Sequence, residues 1–166
     1  MHLFFYTETT GTPKNYNASA KEVDNWPRII QLAWAQFDIH GNLLKANCDL
    51  ILPDGWAVPP GKFWVENGFF NDDSLLNGIP IKEALKKFVV ILEISEILIA
   101  HNINFDLPVV KAEMIRANVK SNKTILKHCT MRTSEVICKI PNAYGSYKWP
   151  KLEELHKHLF GVNFDG

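Results

Sequence analysis

Two acidic residues, about a hundred positions apart, each close an apolar run and open a polar turn. Glu8 ends Leu3-Phe4-Phe5-Tyr6-Thr7 and is followed by Thr9-Thr10-Gly11. Asp106 ends His101-Asn102-Ile103-Asn104-Phe105, which itself follows the apolar run Ile97-Leu98-Ile99-Ala100. A carboxylate at the inner end of a strand is costly to bury alone and usually has a partner such as a metal. Two such carboxylates brought together would suit a hard divalent cation and chemistry on a phosphate ester. Plainer roles compete with this one. Glu8 could be a solvated strand end, and Asp106 a first-turn carboxylate of the helix that follows.

The elements that must position these residues are legible from period and punctuation. Residues 2–8 read as a buried strand, too short for a helix and rich in aromatic residues. Residues 12–26 have neither period and read as a long surface loop, closed by Asn25-Trp26-Pro27-Arg28. Residues 28–39 and 43–52 form a hairpin about the turn His40-Gly41-Asn42. Residues 53–80 are irregular, with short helices at about 62–66 and 72–77. Residues 81–94 carry apolar residues at helical spacing. A fourth strand spans about 96–100, a helix about 105–117 ended by Asn118, and a fifth strand 124–129. Residues 130–138 read as helical, 139–149 as a loop, and 151–160 as a helix stopped by Gly161.

With those elements in place, the two segments resemble the first and second motifs of the DEDD-type 3′–5′ exonucleases, the family of the polymerase proofreading subunit. That family reads D-x-E-T-T-G in its first motif and H-N-x-x-F-D in its second. The second is complete here, from His101 to Asp106. The first carries Tyr6 where the family has Asp. The family's short I-H-G-I segment aligns with Glu66-Asn67-Gly68-Phe69, so its His is Asn67. Its third motif, H-x-x-x-x-D on a last helix, has no counterpart before the chain reaches Phe164-Asp165-Gly166.

The resemblance implies an α/β fold of the ribonuclease H-like kind: a mixed five-stranded sheet, order 3-2-1-4-5, with flanking helices and the C-terminal motif-bearing helix missing. It implies two Mg²⁺ or Mn²⁺ ions, with Glu8 and Asp106 as metal ligands and catalytic residues. Thr9 and Thr10 would seat the terminal nucleotide, and His101, Asn102 and Phe105 would shape the second-motif turn. The implied substrates are single-stranded DNA or RNA 3′ ends, and a polymerase is the implied partner.

The altered position sets the expected activity. A phenol titrates near pH 10 and does not bridge two cations as a carboxylate does. Two acids of four hold a divalent ion only weakly. The chain as given is therefore expected to hydrolyse phosphodiesters poorly or not at all, with metal weakly bound or absent. The competing reading is a catalytically dead module on the same fold that binds nucleic acid or a partner protein. The missing helix also leads to an expectation of a single domain over residues 1–166, truncated before its last helix, or of a homodimer covering the exposed sheet face.

Bulk properties exclude several other classes. The 166 residues are 46% hydrophobic and 22% charged, ordinary for a globular protein with a substantial core. No apolar run approaches a membrane span, and Cys48, Cys129 and Cys138 lack the spacing of a disulfide scaffold or zinc ribbon, which points to a reducing cytoplasm. His156 and His158 do not share a helix face, and there is no Gly-rich phosphate loop. The net charge is zero but divided. Residues 1–110 hold 8 Lys/Arg against 13 Asp/Glu, and residues 111–166 hold 10 against 5. An acidic site beside a basic wall would suit a polyanion.

Overall fold

The computed structural model describes residues 1–163. Phe164-Asp165-Gly166, where the third motif was expected to begin, lies outside the described residues.

Five strands make one mixed sheet: β1 (His2–Thr9), β2 (Ile29–Phe37), β3 (Leu43–Leu50), β4 (Ile97–Ala100) and β5 (Leu126–Cys129). Their order is β3-β2-β1-β4-β5, as the sequence led us to expect. β1 runs antiparallel to β2 and parallel to β4, and β5 is parallel to β4. The helices are α1 (Lys62–Glu66), α2 (Asn71–Asn77), α3 (Ile81–Ile94), α4 (Ile103–Arg116), α5 (Thr130–Thr133), α6 (Glu135–Cys138) and α7 (Leu152–Phe160).

Alternation along β1 sends Leu3, Phe5, Thr7 and Thr9 to the buried side. There they meet the apolar stripes of α3 and α4, with Phe88 and Leu85 from one and Val109 and Val110 from the other. Each fully buried Leu or Phe contributes roughly 1.5–3 kcal/mol. The opposite side of β1 carries Phe4 and Tyr6, both exposed, with Phe4 packed edge-on against Phe37 at 5.4 Å.

Boundaries differ from expectation where side chains override period. β2 and β3 stop short of residues 39 and 52, and β5 starts at Leu126 rather than 124. α4 begins at Ile103, two residues early, because Asn102 takes a left-handed φ of 80° and its carbonyl already accepts the Phe105 N–H at 2.8 Å. The helical stretch 130–138 divides into α5 and α6 at Ser134, whose hydroxyl donates to the carbonyls of Thr130 and Met131. Asn118 (φ 50°) follows the end of α4, and Gly161 (φ 73°) stops α7, both as expected. The 12–26 loop is tied rather than free: Asn25 and Asn15 exchange side-chain-to-backbone bonds, and the Trp26 indole donates to Ser19 O.

Candidate active site

β1 is longer than its parallel partner. The β1–β4 pairing ends at Phe4 opposite Ile99, while β1 runs on to Thr9. Past that point β4 turns away through His101 and Asn102, and the first turn of α4 takes its place beside β1. Asp106 occupies the gap. Its Oδ1 accepts from the Thr7 N–H at 3.0 Å and from the Thr7 hydroxyl at 2.8 Å. A side-chain carboxylate thus does for Thr7 what a strand carbonyl would have done.

Asp106 is only 2% exposed. Burial pushes its pKa up to about 6, against the pull of the two Thr7 bonds, and the neighbouring Glu8 charge adds a smaller push in the same direction. Glu8 lies on the other side of β1, half-buried, opposite Gln31 of β2 and next to a register shift between Glu8 and Thr9. Burial raises its pKa, and the Tyr6 hydroxyl, which donates to Glu8 Oε1 at 2.8 Å, opposes that rise. The Tyr6 phenol is held above the ordinary tyrosine range by the partial covering of an otherwise exposed ring and then by Glu8. The fold therefore brings Tyr6, Glu8 and Asp106 to one end of β1.

The remaining sequence-selected residues surround this end, and most are already engaged. The Thr9 hydroxyl donates to Gly11 O at 2.7 Å. The Thr10 hydroxyl accepts the Arg28 N–H at 3.0 Å. Both threonine hydroxyls thus support the backbone of the turn. His101 spans three elements, with Nδ1 3.0 Å from the Thr130 hydroxyl and Nε2 2.9 Å from Pro150 O. Asn102 caps α4 through its backbone alone. Phe105 packs into the core margin with its ring 6.5 Å from that of Tyr16.

The donor set does not fit a pair of divalent cations. Among the described residues, no group of three or more His, Cys, Asp or Glu converges on one point. Glu8 is engaged by a phenol and Asp106 by Thr7. No lysine bonds to either carboxylate among the described residues, so the expected basic wall does not touch this pair.

Two features were missed in the sequence. Glu113, about two turns after Asp106 on α4, is 1% exposed and meets Arg28 Nε at 2.7 Å and Arg116 at 3.0 Å. Arg28 also lies 5.5 Å over the Trp56 ring. An acid on the apolar stripe of α4, paired by spacing with Arg116, was the available signal. The second feature is Trp64, whose indole donates to Thr9 O at 3.0 Å and ties α1 to the turn after β1. Nothing local in the sequence marks that contact.

The order of strands and helices defines a ribonuclease H-like α/β fold. Among solved structures it is similar to E. coli exonuclease I in complex with a dT13 oligonucleotide, at TM-score 0.71 and 17% identity over 95% of this chain and 35% of that one. It is likewise similar to E. coli exonuclease I with a dA16 oligonucleotide, at 0.72 and 17% over 99% and 37%, and to a product-bound exonuclease I, at 0.74 and 17% over 99% and 39%. At this identity the likeness is one of fold. The chain spans well under half the length of these neighbours. No family model matches the chain, and no curated protein matches it. No helix among the described residues is long and apolar enough to cross a membrane.

Proposed function

We propose that this chain is an exonuclease-type domain that engages single-stranded nucleic acid at a 3′ end, and that with Tyr6 in place it cleaves the terminal phosphodiester weakly or not at all. What supports this reading is that Glu8 and Asp106 stand at the same end of β1, near enough for the Glu8 charge to raise the Asp106 pKa, with the Tyr6 hydroxyl on Glu8. The phenol explains why the same site is poorly suited to cations: it adds no charge, and it occupies an oxygen that a metal would need. In this reading the Thr9–Gly11 turn and the His101–Phe105 turn form the walls that meet the terminal nucleotide. Mg²⁺ or Mn²⁺ would bind loosely, completed by substrate and water, and would supply charge neutralisation when present.

The test is fluorescence anisotropy with a labelled single-stranded oligonucleotide in EDTA. Binding should be saturable, should prefer a free 3′ end over one closed in a hairpin, and should weaken in Thr10→Ala. Equal affinity for free and closed 3′ ends would overturn the reading.

A further inference from the structure

The parallel strands β1, β4 and β5 end on one edge of the sheet, and that edge carries more than the carboxylate pair. Open α/β sheets bind ligands outside the carboxyl ends of such strands. β4 ends at Ala100 and passes into His101, and β5 ends at Cys129 and passes into α5 and α6. His101 ties both to the loop that follows: its Nδ1 lies 3.0 Å from the Thr130 hydroxyl, and its Nε2 lies 2.9 Å from Pro150 O. The loop 139–149 is therefore fastened to the turn that leads to Asp106.

Asn142 closes this loop on itself. Its Oδ1 accepts the N–H groups of Tyr144 at 2.8 Å and Ser146 at 3.1 Å, and its amide donates to Ser146 Oγ at 2.6 Å and Tyr147 O at 3.0 Å. Pro141 and Tyr147 form an antiparallel bridge, and Gly145 takes the left-handed φ of 78° that the turn needs. A loop built this firmly still leaves its aromatic rings in water. Tyr144 is 94% exposed and Trp149 52%, with the Arg132 guanidinium 5.3 Å over the Trp149 ring. Residues 130–151 carry four Lys/Arg against one Asp/Glu. Arg132 and Lys139 make no ion pair among the described residues.

Resting on the reading that the chain binds single-stranded nucleic acid, we propose that this loop is a stacking platform for the bases 5′ of the terminal nucleotide. Tyr144 and Trp149 take the bases, and Arg132 and Lys139 meet the phosphates between them. Every base has a flat face and every linkage a negative charge, so open rings interleaved with cations suit a single strand of any sequence. Two observations favour this occupant over a polypeptide. The segment is strongly cationic, and it is fastened through His101 to the edge where the end of the strand would lie. The platform thus sets how far behind the 3′ end the strand contributes to affinity, and it asks for no particular base.

The probe is a 5′-fluorescein-labelled oligo-dT of about eight nucleotides, read by anisotropy in EDTA at about 50 mM NaCl. Tyr144→Ala should weaken binding by about tenfold or more. Tyr144→Phe keeps the ring and should bind as the native chain does. Tyr144 packs against almost nothing, so both variants should keep the native melting temperature. A probe abasic at every position but the last should bind the native chain about tenfold more weakly, and that penalty should shrink severalfold in Tyr144→Ala. Preference for a free 3′ end belongs to the turns around Glu8 and Asp106 and should survive in Tyr144→Ala. Native affinity in Tyr144→Ala, or an abasic penalty equal in variant and native chain, overturns the platform and leaves the 3′-end reading standing. Weakened binding in Tyr144→Ala with equal affinity for free and closed 3′ ends keeps the platform and overturns the 3′-end reading alone. No saturable binding of oligo-dT by the native chain overturns both.

Discussion

The Tyr6 hydroxyl donates to Glu8 Oε1 at 2.8 Å, across two positions of one strand that share a face. Strand geometry makes this contact almost unavoidable, because residues i and i+2 project to the same side. It gives Glu8 a neutral partner where the family that the motifs resemble places a second acid. The carboxylate thereby has a hydrogen-bond partner within its own strand.

Tyr6→Asp should remove that partner and make the site respond to metal. In EDTA the variant places two like charges on one half-buried face and should lose roughly 1–3 kcal/mol of stability. Added Mn²⁺ should restore it. A hundredfold excess over the dissociation constant stabilises by about 2.7 kcal/mol, or several degrees in Tm. The native chain should shift by less than about one degree. Differential scanning calorimetry of both proteins with and without Mn²⁺ checks this, and an equal shift in the two would contradict it.

Asp106 carries a pH signature. Its pKa in the fold, about 6, lies above the ordinary 3.8. The folded state therefore favours the protonated acid. The stability this group contributes is fully present below about pH 4 and is lost as pH rises through 6. Asp106→Asn keeps the shape and removes the titration. In metal-free buffer the variant should gain on the native chain by about 2–3 kcal/mol between pH 4 and pH 7.5. Urea denaturation at both pH values measures it; a difference that does not change with pH would remove burial as the dominant influence on this carboxyl.

These two residues also mark how far the sequence could be read. The run Leu3 to Thr7, the hairpin at Gly41 and the periodic stretch 81–94 named their elements directly, and both acidic residues fall at the same end of β1. The sequence could not say what Asp106 does there. Its partner, Thr7, is ninety-nine positions away and offers a backbone N–H that any residue would offer. The bonds of Thr10 to Arg28, of Trp64 to Thr9 and of His101 to Pro150 likewise join residues 18, 55 and 49 positions apart. Such contacts are properties of the assembled fold.

The buried cluster on α4 should matter more to folding than to binding. Glu113 compensates Arg28 and Arg116 at once, and its Oε2 has no hydrogen-bond partner among the described residues. Glu113→Ala removes the acid shared by two guanidinium groups, though Arg116 keeps its bonds to the Val23 and Trp26 carbonyls, and should cost about 3–5 kcal/mol. Arg28→Ala leaves Arg116 in place and should cost less. Urea midpoints for the two variants give the comparison, and a larger loss in Arg28→Ala would contradict the shared-acid arrangement.

The central claim is that the Glu8–Asp106 pair, with Tyr6 on Glu8, is a poor hydrolytic centre. The most direct test is Mn²⁺-dependent shortening of a 5′-labelled single-stranded oligonucleotide by the native chain and by Glu8→Ala. The account predicts no ladder above the Glu8→Ala background, with binding retained in EDTA. A product ladder from the native chain that disappears in Glu8→Ala would show that two carboxylates suffice, and would contradict it.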